Sequence, residues 1–242
     1  MSTALKAFVI GATGQCGKAI TKELARASAF TGVTLFTRRQ LELPPSDQEY
    51  DYGKIDQKIV NFDRLSEDHA SDFIGYDVGF GCLGLSVMVA SEAEVMKVEH
   101  DYTLAAAELA KAGGCKHFAV ITGGADKDSC ITTFRIKGII EHDLQQLGFQ
   151  RLTIVRPGGL VGGEKVGETT SQKIFRQIAD PLDRGRFLTC EVPVLAKVLV
   201  HNTLQPASSP VEIIGNRDVH KLGQELDGKK KSCCITKALS SS

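Results

Sequence analysis

The sequence predicts an α/β protein: a doubly wound parallel sheet in a single domain, with a small C-terminal region over one end. Three observations predict it. Short apolar, β-rich runs alternate with longer segments of helical character, the pattern of strands joined by crossover helices. The runs are continuously apolar rather than alternating, as strands buried on both faces are. A glycine-rich turn separates the first run from the first helical segment.

In chain order, "AFVI" (7–10) is the first strand, and "CGKAITKELARAS" (16–28) the first helix, with Ile20, Leu24 and Ala27 at helical spacing. "VTLFTR" (33–38), "IVNFD" (59–63) and "DVGFGCL" (77–83) follow as strands. The polar, Pro-containing 40–58 is expected as an exposed loop. "EAEVMKVEHDYTLAAAELAKAG" (92–113) is a long Ala-rich helix stopped by Gly113-Gly114. "HFAVIT" (117–122), "KGIIEHDLQQLG" (137–148), "LTIVRPGG" (152–159) and "VEIIG" (211–215) continue the alternation. We expect one domain over 1–226, with 160–210 covering the substrate side, and a flexible tail over 227–242.

Composition excludes several classes. Lys plus Arg and Asp plus Glu both number 29, so no net charge draws the chain to nucleic acid, and no direct nucleic-acid partner is expected. Seven cysteines without repeated spacing, several in apolar runs, fit a reducing compartment. The histidines form no H-x-x-x-H pair, so no metal site is expected. The first apolar run is already structural, leaving no signal peptide, and no stretch approaches the ~20 residues of a membrane span. A cytoplasmic protein without stable membrane insertion is expected. The basic cluster beside Cys233-Cys234 leaves peripheral membrane attachment as the alternative to a disordered terminus.

"VIGATGQCGKAI" places Gly11, Gly14 and Gly17 between a strand and a helix. Such glycines permit a tight turn, close approach of a pyrophosphate and close helix–strand packing, and the helix N-terminus supplies N–H groups to phosphate. Thr13, Gln15 and Cys16 lie on the phosphate-facing part of that turn. After the second strand, where an NAD site carries a carboxylate for the ribose 2′-hydroxyl, stand Arg38 and Arg39. Guanidinium groups bind a 2′-phosphate that a carboxylate would repel, so the expected cofactor is NADPH. Asp63 is a candidate for the adenine, and Leu83 and Gly84 for close backbone approach at the end of the fourth strand.

"VIGATGQCGK", "VTLFTRRQL", "DVGFGCLG", "DYTLAAAELAKAGGCKHF", "GADK" and "VRPGGL" resemble the TIP30/CC3 family (HIV-1 Tat-interactive protein 2 homologues) of the atypical short-chain dehydrogenase/reductase superfamily. The resemblance spans about residues 7–160 and continues more faintly through "VPVLAKVLVHNTL" and "DVHKLG". It implies a Rossmann fold of strand order 3-2-1-4-5-6-7 holding NADPH. The contacts it implies come from Thr13, Gly14, Gln15, Cys16, Arg38, Arg39, Leu83, Gly84, Lys137 and Leu160. It further implies oxidoreductase-like character, with roles in apoptosis, nuclear import and transcription. Those roles would bring transport or regulatory protein partners and a nuclear location besides the cytoplasmic one.

In that superfamily a Y-x-x-x-K pair does the chemistry. The lysine lowers the phenol's pKa, and the phenol gives its proton to a carbonyl as nicotinamide delivers hydride. Here Lys137 is kept, able to bond the nicotinamide ribose, but Thr133 stands in the tyrosine's place. An aliphatic hydroxyl is too weak an acid to substitute, and losing a positioned general acid forfeits ~10² to 10⁴-fold in rate. The family's "SSKGADK" has become "ITGGADK", leaving Thr122 as the one hydroxyl at the end of the fifth strand. Tyr102 is the candidate for rescue, against a structural role. Three readings follow. The chain is a cofactor-binding regulatory or sensor protein; or a NADPH-dependent reductase of a small carbonyl using Thr122 and Lys137; or an enzyme of the UDP-sugar or isoflavone-reductase type. Pro157 and Gly158 would shape the nicotinamide pocket, and Arg176, Arg184 and Arg186 could meet an acidic substrate.

Overall fold

The computed structural model describes residues 4–85, 90–163, 183 and 188–239, with side chains described as far as residue 228. The strands are β1 (Leu5–Ile10), β2 (Phe30–Thr37), β3 (Ile55–Ile59), β4 (Val78–Gly81), β5 (His117–Ile121), β6 (Arg151–Arg156), β7 (Gly159–Val161), β8 (Thr189–Glu191) and β9 (Val211–Gly215). The helices are α1 (Gln15–Arg26), α2 (Leu65–Asp68), α3 (Glu92–Val95), α4 (Tyr102–Ala112), α5 (Thr132–Gln146), α6 (Val192–Thr203) and α7 (Asn216–Leu239).

Seven strands form a wholly parallel sheet in the order β3-β2-β1-β4-β5-β6-β9, and β7 pairs with β8 in a separate two-stranded sheet. The expected strand order is therefore found. Successive residues of β1 feed opposite cores, as the two-residue period of a strand dictates. Ala7 and Val9 join Ile20 and Leu24 of α1 and Leu195 and Leu199 of α6 on one face. Phe8 and Ile10 join Ala106 and Ala110 of α4 and Ile140 and Leu144 of α5 on the other. That second core is aromatic: the Phe36 and Phe73 rings stack at 4.2 Å, and Phe8 meets Phe73 edge-on at 5.3 Å. The chain leaves β1 toward β2 and re-enters the sheet at β4 on β1's other side. This reversal opens a crevice at the C-terminal ends of those two strands, where parallel α/β sheets bind ligands.

Three expectations need correction. The third strand is Ile55–Ile59, inside the stretch expected as a loop, and "IVNFD" largely follows it. As an edge strand it buries only Ile55, so it lacks the apolar run of a central strand, whereas Val60 and Phe62 are buried just beyond it. The long helix of 92–113 is not uniform, because Met96–Asp101 is a π-helical turn between α3 and α4. Its start is set by a capping box in which Ser91 and Glu94 bond each other's backbone N–H. The stretch 227–242 is not a free tail throughout, since α7 runs to Leu239. Buried Val219, partly buried Leu222 and Leu226, and an Asp227–Lys197 ion pair dock α7 on the α1/α6 face, and the helix continues from that anchored part.

Candidate nucleotide-binding cleft

A cleft of about 370 Å³ opens where β1 and β4 diverge. Its floor is the glycine turn. Gly11 has φ +83°, and a Cβ there would lie 2.5 Å from the Cys82 carbonyl carbon; a Cβ on Gly17 would lie 2.2 Å from the Gly11 oxygen. Any side chain at either position collides with backbone, so β1, β4 and α1 can meet this closely only through glycine. The Gly14 N–H donates to the Gly11 oxygen at 3.0 Å and closes the turn. Gly14 then caps α1 without a side-chain bond, and the first turn carries no acidic residue, so the helix end keeps its positive character.

Thr13 lines the cleft, and Gln15 reaches across to the chain after β7, where a Cβ on Gly163 would lie 2.8 Å from its Oε1. Cys16 differs from the expectation of a phosphate-facing side chain. It is buried in the α1 core, and burial pushes its thiol up to about 11 against the opposing pull of Lys137. Only its backbone is left to meet a phosphate.

Arg38 and Arg39 line the cleft's opposite end, both exposed. The Thr37 hydroxyl donates to the Arg39 carbonyl at 2.8 Å and holds their turn. Neither guanidinium has an ion-pair partner among the described residues, while most described arginines do. Phe36, Phe62, Leu83, Val98 and Tyr102 give the same cleft its apolar walls. Apolar walls, two guanidinium groups without an ion-pair partner among the described residues and a cradle that a Cβ would fill fit a dinucleotide.

Tyr102 belongs to this end, not to the catalytic one. Its hydroxyl donates to Asp63 Oδ1 at 2.7 Å, its ring packs against Phe62, and Lys97 completes the cluster at 2.6 Å from Asp63. Burial and the Asp63 carboxylate raise its pKa, the wrong direction for a proton donor. The rescue role is therefore withdrawn. Asp63 keeps to the cleft's edge, its Oδ1 taken up by these two partners.

At the other end, Lys137 leaves α5 one turn after Thr133 and passes beside Gly123, whose Cβ would lie 3.6 Å from Lys137 Cδ. Its ammonium lies 3.0 Å from Glu99 Oε2. Glu99 comes from the π-helical turn and is 8% exposed; its Oε1 accepts the Leu85 N–H at 2.9 Å in the chain leaving β4, next to Gly84. Thr122 is buried, and its hydroxyl donates to Glu141 Oε1 at 2.6 Å. Glu141, one turn beyond Lys137, is ion-paired with Arg156 of β6. Thr133 is partly exposed, and Phe134 beside it is exposed and lies over Gly124. Leu160 is exposed on β7. Gly158 admits the close approach of β8, since a Cβ would lie 2.3 Å from the Leu188 oxygen. Arg176, Arg184 and Arg186, and much of the 160–210 cover, lie outside the described residues. Glu99 and Glu141 were not anticipated. Each stands two residues before an aspartate, Asp101 and Asp143, so nothing in the local pattern singled it out.

No family model matches the chain. Aligned over 227 residues, 92% of this chain and 91% of the relative, it is 36% identical to Protein HTATIP2 of Rattus norvegicus. The chain belongs to the HTATIP2 (TIP30) family. It is also 33% identical over 228 residues to Protein FMP52, mitochondrial, of Eremothecium gossypii, covering 90% of this chain and 97% of that one. MoeE5 in complex with UDP-glucuronic acid and NAD shares the fold at TM-score 0.66 and 15% identity, over 87% of this chain and 75% of that one. Family and sheet agree with the atypical short-chain dehydrogenase/reductase type of Rossmann fold. Among the described residues no helix is long and apolar enough to cross a membrane, and no cluster of His, Cys, Asp and Glu could hold a metal ion.

Proposed function

We propose that this chain is an oxidoreductase-like NADPH-binding protein that works as a cofactor-dependent regulator or sensor rather than as an efficient carbonyl reductase. One observation carries the cofactor: Arg38 and Arg39 stand exposed, without an ion-pair partner among the described residues, at the end of a glycine-cradled cleft. Family membership and the NAD named with a protein of the same fold support a nicotinamide dinucleotide, and the arginine pair favours the 2′-phosphorylated form. Bound nicotinamide supplies hydride chemistry. The chain's own residues hold it: the turn at Gly11, Gly14 and Gly17 takes the pyrophosphate, Phe62 and Tyr102 flank the adenine, and Lys137 reaches the nicotinamide ribose.

The proton side of a reduction lacks its donor. Thr133 has no acidic proton near neutral pH, the Thr122 proton is engaged by Glu141, and Tyr102 is bound to Asp63. Such a protein would pass the state of its cofactor to protein partners, with transport or regulatory factors as the class the family suggests. We place it in the cytoplasm, with the nucleus or a membrane surface as alternatives. A melt and titration series tests the cofactor. NADPH should stabilise the protein and NADH much less, and Arg38→Ala/Arg39→Ala should weaken NADPH by about 10–100-fold, the loss of one or two charge-assisted bonds, leaving NADH unchanged. Turnover of a carbonyl panel that Lys137→Ala abolishes would instead establish the reductase.

A further inference from the structure

The Glu99–Lys137 pair has a consequence for what the cleft can sense. An ammonium at a nicotinamide site repels the cationic ring of the oxidised cofactor more than the neutral ring of the reduced one. Lys137 carries that ammonium, and it sits near the glycine turn, close enough to pull on the Cys16 thiol. The Glu99 carboxylate lies 3.0 Å from the ammonium, and the two side chains are only 8% and 17% exposed, so solvent screens them little. An ammonium has three donors, and this ion pair uses one, leaving others for ribose hydroxyls. Glu99 is fixed independently of the lysine, because its other oxygen accepts the Leu85 N–H and the π-helical turn sets its direction. The carboxylate is therefore a built part of the site, holding one wall to the other at zero net charge.

We propose that Glu99 sets the redox preference of the cleft: by cancelling the Lys137 charge beside the nicotinamide, it raises the affinity for NADP⁺ relative to NADPH. This rests on the reading that the cleft binds a nicotinamide dinucleotide and that Lys137 meets its ribose. A protein with Glu99 in place takes up both forms at comparable strength and so follows their ratio. One without it is biased to the reduced form.

The test is the ratio of dissociation constants for NADP⁺ and NADPH, measured by calorimetric titration without turnover. In Glu99→Gln the ratio should move toward NADPH by about tenfold, the order expected for one unit of charge in a poorly screened site. Glu99→Asp, which keeps the charge, should stay near the parent ratio. Lys137→Met, which leaves the carboxylate uncompensated, should move the ratio toward NADP⁺. Equal losses for both forms in Glu99→Gln would reduce Glu99 to a positioning residue and overturn the proposal, as would an unchanged ratio. If Glu99→Gln does not fold, the opposite displacement in Lys137→Met decides, and its absence overturns the proposal. Failure of the unaltered protein to bind either form would instead defeat the cofactor reading beneath it.

Discussion

The two ends of the cleft treat charge in opposite ways. At one end Arg38 and Arg39 stand exposed without an ion-pair partner among the described residues, on a turn held by one hydroxyl bond. At the other end the charged groups are matched within the protein: Lys137 with Glu99, and Arg156 with Glu141, which also accepts the Thr122 hydroxyl. Unpaired cations at a preformed concavity suit a ligand anion, because their desolvation is repaid only when it arrives. Groups already satisfied have little left to give a reacting substrate. The first end leaves its charges open to an anion, and the second holds most of its charges against one another.

The largest effect should come from the binding end. Gly17→Ala puts a Cβ 2.2 Å from the Gly11 oxygen, so the turn must shift. We expect NADPH binding to fall by more than about 100-fold and the melting temperature to drop by several degrees, for an overpacking cost of roughly 1–3 kcal/mol. Near-normal binding in a titration would mean that the cradle is not the phosphate site, and the contrast would lose its first half.

The next effect should come from the far end and appear in stability rather than binding. Glu141→Gln leaves the Arg156 guanidinium without its carboxylate and weakens the Thr122 bond. Arg156 is 35% exposed and can recruit water, so the cost should be about 2–3 kcal/mol, toward the low side of a broken buried pair. Denaturant unfolding should report that loss while NADPH affinity changes little. A large loss of affinity at unchanged stability would return Thr122 and Glu141 to the site.

The most gradual effect should be a pH dependence from β5, β6 and β9. Burial, with Arg151 beside it, lowers the His117 pKa from 6.5 to about 3. The unfolded chain then binds a proton that the folded one refuses, so stability is complete above about pH 6.5 and falls as pH drops toward 3. Burial would raise Glu212, but its bonds from Ser208 and Arg151 outweigh that and hold it at about 2. Its contribution is therefore present above the ordinary value of 4.5 and lost as pH falls toward 2. Of these two groups only the histidine acts between pH 6.5 and 4.5, at up to ~1.4 kcal/mol per pH unit. His117→Gln should flatten that stretch in equilibrium unfolding; an unchanged slope would assign it to another group.

The central strands, the crossover helices, the glycine turn and the arginine pair were all legible in the residues. Each rests on local chemistry: apolar runs for strands buried on both faces, glycine where backbone crosses backbone, basic residues at a strand end. The spacing of Thr133 and Lys137 was legible too, since α5 keeps them one helical turn apart. An edge strand hid because one flank faces solvent, so β3 needs little apolar surface, and the polar last helix hid because only its first part is anchored.

What the chain by itself determined is therefore the sheet and the means of holding a dinucleotide. What only the tertiary structure decided is which polar groups are spent on one another. Glu99 and Lys137 are 38 residues apart, Tyr102 and Asp63 39, Thr122 and Glu141 19. Partners at such separations leave no periodic trace, because the sheet order and the π-helical turn, not the spacing along the chain, bring them within hydrogen-bond reach.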